Sequence, residues 1–395
     1  MLEDSSDQKT VGCGANQPSN TSENAMVVGY DASRSLAAYA QELSAALQRV
    51  IRSGGLILGA EVAAFEKEFA SYVGCSHAIG MASGTDALVA AMKALGIGPG
   101  DEVITVANGP VPTVAAIVAV GAIPCFVDVD PRHLQIDPRL VKSAIGPATK
   151  CVIPVHLYGY AAPVEELAEV CENRGLLMIE DCAQGHGTRL GSRHVGGFGR
   201  VGCFSFYPTK NLGALGDAGM CVTDDDNLAQ RLLEIRQYGF RGGRRVAHSD
   251  GMNSRLDEVQ AAFLRVFLPQ LPEKLSRRRE IAAYYTRHLN QSPFLLPEFL
   301  ANSNPSWHQF IARSRKRDEV REFLNKRRVQ TGIHYEWPIH TMPAFSHRCR
   351  LGSTLSVTEM VCKQVFSLPI APELEEHELK QVVDALSEAV ERIRS

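Results

Sequence analysis

Between His77 and Glu180 short apolar runs alternate with helical periods, and no other feature of the chain constrains its fold as much. Strand-like runs at His77–Met81, Glu102–Val106, Ala122–Val129, Lys150–His156 and Leu176–Glu180 are separated by helical patterns. Those patterns cover Ala87–Leu95, Thr113–Val120 and Val164–Arg174. Short buried strands divided by helices predict an α/β fold with a mainly parallel sheet covered on both faces. Two further strands are expected at Val201–Phe206 and Ala218–Thr223, around an intervening loop.

Helices are expected on either side of this core. Upstream they are Ala37–Arg52, ended by Ser53-Gly54-Gly55, and Ala60–Tyr72. Downstream they are Leu228–Tyr238 and Arg255–Phe267, followed by a stretch that Pro269 and Pro272 interrupt and that resumes over Lys274–His288. After Pro293 the pattern shifts to Phe310–Arg313, Asp318–Arg328 and Glu376–Arg394. The expected organisation is a disordered leader over 1–27, a large α/β unit over 28–275 and a smaller C-terminal α+β unit over 276–395.

A net charge of −3 over 395 residues gives no electrostatic case for nucleic acid or an anionic membrane. No apolar run approaches the length of a membrane helix, and the polar first residues lack the apolar stretch of a signal peptide. The ten cysteines are scattered and never form Cys-x-x-Cys, which points to free thiols and a cytoplasmic protein.

Chemistry concentrates at three places. The apolar run Met178-Ile179 ends in Glu180-Asp181, and ligands of open α/β sheets sit at the carboxyl ends of strands. Alone, such an aspartate is as readily a turn cap. Further on, Lys210 lies among Phe206, Tyr207, Pro208 and Gly213. A lysine drawn out of water loses proton affinity and becomes an amine nucleophile. A pyridine-ring cofactor needs a carboxylate beside its nitrogen, so Asp181 and Lys210 together suit pyridoxal 5′-phosphate. Ser83-Gly84-Thr85-Asp86 opens a helix and suits a phosphate, although an ordinary N-cap reads the same way.

Two features carry no such weight. Gly197 to Gly202 spells G-x-G-x-x-G, but it runs into a strand rather than a helix and reads as a glycine loop. His156, His186, His308, His334 and His340 show no metal-ligand spacing, so no metal is expected.

From about residue 28 onward the sequence resembles the DegT/StrS sugar aminotransferases, within the fold type I pyridoxal-phosphate enzymes. The likeness rests on SGGLILGAEVAAFEKEFASYVG, ASGTDALVAAMKALGIGPGDEVIT, PVHLYG, IEDCAQGHG, SFYPTKNLGALGDAG and GMNSRLDEVQAA. It implies that the large unit binds the cofactor, that Lys210 holds it as a Schiff base and shuttles a proton, and that Asp181 pairs with the ring nitrogen. It further implies that Gln184 contacts the ring hydroxyl, that Ala183 packs on one ring face, and that Gly84, Thr85 and Ser205 bind the phosphate. Asn253 would serve the cofactor of a partner subunit, which implies a homodimer with shared sites. His334 and Tyr335 would approach a nucleotide-linked ketosugar, with glutamate or glutamine as amino donor.

The sequence departs from the family pattern in one notable place. Where relatives often carry an aromatic ring after the strand Glu102–Val106, this chain has Asn108-Gly109-Pro110-Val111-Pro112-Thr113, with Pro110 at the aromatic position. That leaves room for a cyclitol ketone as acceptor. A non-catalytic regulatory homologue is a further alternative, against which the intact Lys210, Asp181 and Ser205 argue.

Overall fold

A computed structural model describes residues 25–242 and 245–394. Most of the expected leader, residues 1–24, lies outside the described residues. Its last residue does not behave as a leader: Val27 is buried and bridges Val329, in the core of the C-terminal part.

Seven strands come from the alternating region. They are β1 (His77–Met81), β2 (Glu102–Val106), β3 (Ile123–Val127), β4 (Thr149–Val152), β5 (Leu177–Asp181), β6 (Val201–Ser205) and β7 (Gly219–Thr223). The C-terminal part adds β8 (Phe310–Arg313), β9 (Arg350–Leu351) and β10 (Val365–Leu368). The main sheet runs β1-β7-β6-β5-β4-β2-β3-β9. Only β7 is antiparallel to its neighbours, so the sheet is mainly parallel, as the alternation predicts. The two-residue β9 is an eighth strand that periodicity does not reveal.

The helices are α1 (Ala32–Ala37), α2 (Ala40–Ser53), α3 (Ala60–Val73), α4 (Gly84–Ala94), α5 (Val111–Ala119), α6 (Pro138–Ala144) and α7 (Val164–Arg174). They continue with α8 (Asp226–Ile235), α9 (Glu258–Phe267), α10 (Leu271–Leu289), α11 (Arg317–Lys326), α12 (Ser356–Gln364) and α13 (Glu376–Arg394). Successive strand residues point to opposite faces, so each face needs its own cover. Ile104 belongs to the same core as Val50, Phe65, Phe69 and Leu264, from α2, α3 and α9. Its neighbour Val103 belongs to a second core with Leu88, Met92, Ile117 and Leu232, from α4, α5 and α8. Both faces are covered by helices, as the alternation of strands and helices predicts.

Two expectations need correction. The helix expected over Ala37–Arg52 starts three residues later, at Ala40, because the chain turns at Ala38 and Tyr39, and a separate short helix, α1, precedes that turn. Pro272 does not delay the next helix to Lys274. It sits in the first turn of α10, where a missing N–H costs nothing, and the helix begins at Leu271.

A separate core gathers Ile281, Tyr285, Phe310, Leu324, Phe366 and Leu386. Helix α10 belongs to both cores: Leu271 and Leu275 join the large one, Ile281, Ala282, Tyr285 and Leu289 the small one.

Candidate active site

The functional side chains are set by strand ends. Asp181 is the last residue of β5 and Ser205 the last of β6, while Lys210 lies in the loop from β6 to β7. Ser83 caps α4 immediately after β1. Crossovers of one hand bring the carboxyl ends of β1, β2, β5 and β6 to a common edge, where such sheets bind ligands.

Asp181 is buried, and its carboxylate is fixed from two sides. Thr113 Oγ1 donates to Oδ2 at 2.7 Å, and the Ala183 N–H donates to Oδ1 at 3.0 Å. Its backbone is fixed too, with N–H bonded to the Pro154 carbonyl at 2.9 Å and C=O accepting from the His156 N–H at 3.0 Å.

The neighbouring Glu180 is wholly buried and belongs to the scaffold. It accepts from the N–H groups of Gly196 (2.7 Å), Phe198 (2.7 Å) and Gly199 (2.6 Å) and meets His156 Nε2 at 3.0 Å. Burial would raise its pKa, but His156 and these N–H groups hold it below the usual carboxylate range. The glycine loop of the literal G-x-G-x-x-G therefore wraps a protein carboxylate. His156, Glu180 and Cys182 lie within 4.8 Å of one another through their ligand atoms. The Nδ1 of His156 accepts from the Ala162 N–H at 3.1 Å, so the group is read as a hydrogen-bond network.

Lys210 is half-buried. Burial brings its amine down to about 8 against the opposing pull of Asp181, so the ammonium predominates at pH 7 and roughly a tenth is free base. Three histidines feel its charge. Burial first, then Lys210, keeps His186 and His308 well below the ordinary imidazole value and holds His334 at about 4. All three are neutral at pH 7. His186 packs against Phe69, Phe204 and Phe206 with neither ring nitrogen hydrogen-bonded.

The expected phosphate cradle is close-packed. Ser83 Oγ accepts from the Asp86 N–H at 3.1 Å. A Cβ added at Gly84 would stand 2.5 Å from the Ser205 Cβ, so Gly84 and Ser205 are in direct contact. Gly84, Thr85 and Ser205 stay half-buried, as residues facing a ligand would.

Gln184 and Tyr335 join the two parts of the chain. Gln184 Nε2 donates to the Tyr335 hydroxyl at 2.9 Å, and its Oε1 accepts from the Tyr158 N–H at 2.6 Å. Tyr158 in turn donates its hydroxyl to the His334 carbonyl at 2.7 Å, while His334 Nδ1 meets Ser367 Oγ at 2.8 Å. Burial pushes the Tyr335 phenol up to about 12, so it remains protonated. Ala183 is half-buried beside Asp181. Asn253 is exposed, bridged through its backbone to Gln237.

Two cavities of about 390 and 320 Å³ share Tyr30, Thr209 and Arg278 in their walls. Lys210 lines the first, and His308 and His334 line the second.

Sequence reasoning missed three residues here. Tyr158, although inside the quoted PVHLYG, was given no part, and its left-handed backbone (φ 64°) is invisible in sequence. Thr113 lay in the departing loop. Tyr30 lay in the segment just after the expected leader.

The residues fit a pyridoxal cofactor: a buried, oriented carboxylate, a lysine of lowered basicity and a glycine packed against a serine at a helix start. The model of the DegT/DnrJ/EryC1/StrS aminotransferase family matches residues 38–387. The chain belongs to that family. Among its relatives is the dTDP-3-amino-3,4,6-trideoxy-alpha-D-glucose transaminase of Streptomyces venezuelae, 43% identical over 89% of this chain and 93% of the relative. A UDP-N-acetyl-3-dehydro-alpha-D-glucosamine 3-aminotransferase of Acidithiobacillus ferrooxidans is 40% identical over 87% of this chain and 93% of its own length.

Solved structures of the family agree. S. venezuelae DesV, crystallised with a ketimine intermediate, superposes with a TM-score of 0.91 at 42% identity, over 93% of this chain and all of that one (100%). NtdA from Bacillus subtilis, with bound cofactor PMP, gives 0.88 at 30% identity, over 94% of this chain and 86% of that one. The chain is an aminotransferase, and its cofactor is pyridoxal 5′-phosphate.

Proposed function

We propose that the chain moves an amino group from glutamate or glutamine to the ketone of a nucleotide-linked deoxyketosugar, forming an aminosugar. The observation that carries this reading is the similarity, at 40% identity or more over nearly the whole chain, to transaminases named for dTDP- and UDP-linked sugars. The half-buried Lys210 beside Asp181 supplies the chemistry they would share.

The assignments follow from position. Lys210 would hold the cofactor, Asp181 would face its ring nitrogen, and Gln184 its ring hydroxyl. Ala183 would pack on the ring, and Gly84, Thr85 and Ser205 would bind the phosphate. When bound, the cofactor supplies an electron sink for a substrate carbanion. The chain's own part is positioning and proton transfer. Lys210 Nζ would take a proton as free base and return it as ammonium. His334 and Tyr335, neutral and tied to Tyr158 and Gln184, would orient the sugar by hydrogen bonds that need no countercharge.

The exposed Asn253 supports a homodimer in which each subunit completes the other's site. Residues 276–395 are read as the smaller domain and 28–275 as the cofactor-binding one, supported by the separate cores. Val27 joins the folded part. Among the described residues no helix is long and apolar enough to cross a membrane, and all nine described cysteines are free. Both fit a cytoplasmic enzyme.

The test is spectroscopic. Protein reconstituted with pyridoxal phosphate should show a visible band that L-glutamate or L-glutamine discharges, and should then aminate a nucleotide ketosugar. Lys210→Ala should lose the band and turnover, by roughly 10²–10⁴-fold or more. A mutant keeping both would sink the assignment. Turnover of a cyclitol ketone in preference to the nucleotide sugar would replace the acceptor.

A further inference from the structure

The loop that departs from the family pattern ends in a residue that reaches the centre of the site. Thr113 lies in the first turn of α5 and is almost fully buried. Threonine in a helix ordinarily turns its hydroxyl back to a carbonyl of the preceding turn. Here the hydroxyl crosses to β5 and bonds Asp181 Oδ2 at 2.7 Å. An ionised carboxylate only accepts, so the threonine must donate.

The surrounding chain holds this direction. Pro110 is the N-cap of α5 and Pro112 lies in its first turn, so ring closure fixes φ at two of the three residues preceding Thr113. Gly109, packed beside Val106 and Val155, seats the loop against β2 and the chain beyond β4. Asp181 Oδ1 is already committed to the Ala183 N–H, and its backbone is bonded on both sides. Rotation of the carboxylate about its last side-chain bond is therefore the one freedom left, and the Thr113 hydroxyl removes it.

We propose that Thr113 is a positioning residue: its hydroxyl locks the Asp181 carboxylate in the orientation that receives the cationic ring nitrogen of the cofactor. The proposal rests on the pyridoxal-phosphate reading above. In this chain the loop that lacks a stacking aromatic at Pro110 holds the cofactor indirectly, through the carboxylate.

The experiment is a binding titration of pyridoxal phosphate to apo-protein, followed by absorbance, on wild type, Thr113→Val and Thr113→Ser. Valine keeps the shape without the donor; serine keeps the donor without the methyl. The expected result is a Kd raised roughly tenfold or more in Thr113→Val, the scale of a lost charge-assisted hydrogen bond, and near-wild-type binding in Thr113→Ser. Equal binding by Thr113→Val and wild type overturns the proposal. So does a serine variant as weak as the valine one, since that assigns the effect to packing.

A double-mutant cycle serves if the valine variant folds poorly. In an Asp181→Ala background Thr113→Ser should change the Kd by the same factor as in wild type or less, and Thr113→Ala should add nothing further. A full additional loss with Thr113→Ala in that background overturns the coupling. Failure of the wild-type protein to bind pyridoxal phosphate at all would overturn the functional reading together with this one, and is recognised by the absence of any titration.

Discussion

The side chains of Gln184 and Tyr335 meet at 2.9 Å across 151 residues of sequence, the amide donating to the phenol. With Tyr158 they close a ring of hydrogen bonds, since Tyr158 bonds Gln184 through its N–H and the His334 carbonyl through its hydroxyl. The ring couples the residue expected to read the cofactor to the segment expected to read the sugar.

Tyr335→Phe breaks that ring at one bond and strands the Gln184 amide nitrogen. Because Gln184 Oε1 stays held by Tyr158, the loss should weaken pyridoxal phosphate by no more than roughly tenfold, one ordinary hydrogen bond. Its KM for the ketosugar should rise more than its kcat falls. Steady-state kinetics beside a cofactor titration check this; an unchanged KM would separate Tyr335 from the sugar.

Gly84→Ala should damage the phosphate cradle specifically. The new methyl would meet the Ser205 Cβ at 2.5 Å and force that strand end away, a strain of about 1–3 kcal/mol. Binding of pyridoxal phosphate should suffer while binding of dephosphorylated pyridoxal changes little. Parallel titrations with the two compounds measure the difference, and equal losses would remove Gly84 from the cradle.

The lowered basicity of Lys210 gives a pH dependence of known sign. Its folded value of about 8 lies below the ordinary 10.5, so the free amine accumulates as pH rises through about 8. The rate of cofactor capture by apo-protein should climb through that range and level above it. Burying this amine also opposes folding while it is protonated, so its cost to stability is present below about 8 and fades as pH rises toward 10.5. Stopped-flow mixing across pH tests the first statement; a flat profile would contradict it.

Glu180→Gln should destabilise the fold while leaving the chemical groups in place. The amide would present its NH2 either to the Gly196 N–H and His156 Nε2 or to the N–H groups of Phe198 and Gly199, leaving donors facing donors on one side. A cost of about 3 kcal/mol is expected by chemical denaturation. Because Glu180 is held below its usual range, its contribution is complete above that range and is lost on acidification through the lowered value. The variant should therefore show a flatter acid limb than wild type.

Much of this was legible beforehand because the strands are buried on both faces. His77–Met81 and Glu102–Val106 read as short strand-like runs and match β1 and β2 residue for residue. The helices Val164–Arg174 and Glu376–Arg394 were equally plain, the first because Gly175 ends it in the left-handed region. Elements fixed by long-range contact were not. Arg350–Leu351 becomes a strand only because β3 offers it an edge, and the seven residues of α6 are too few for periodicity to declare.

At the site, Lys210 and Asp181 stood out through composition and strand position. Thr113 and Tyr158 did not, because what marks them is where a hydroxyl points after the chain has folded. Nor could the spelling G-x-G-x-x-G reveal that its N–H groups face Glu180 instead of a phosphate.

Helix α10 is an unbroken rod with one end planted in each core, and near its middle Arg278 donates to the carbonyls of Trp307, His308 and Ile370. A jaw-like rotation between the halves would have to snap that rod or tear one end from its packing. The enzyme is built as a mould, and substitutions at Tyr30, Thr209 and His334 in the cavity walls can recut the opening without touching the frame.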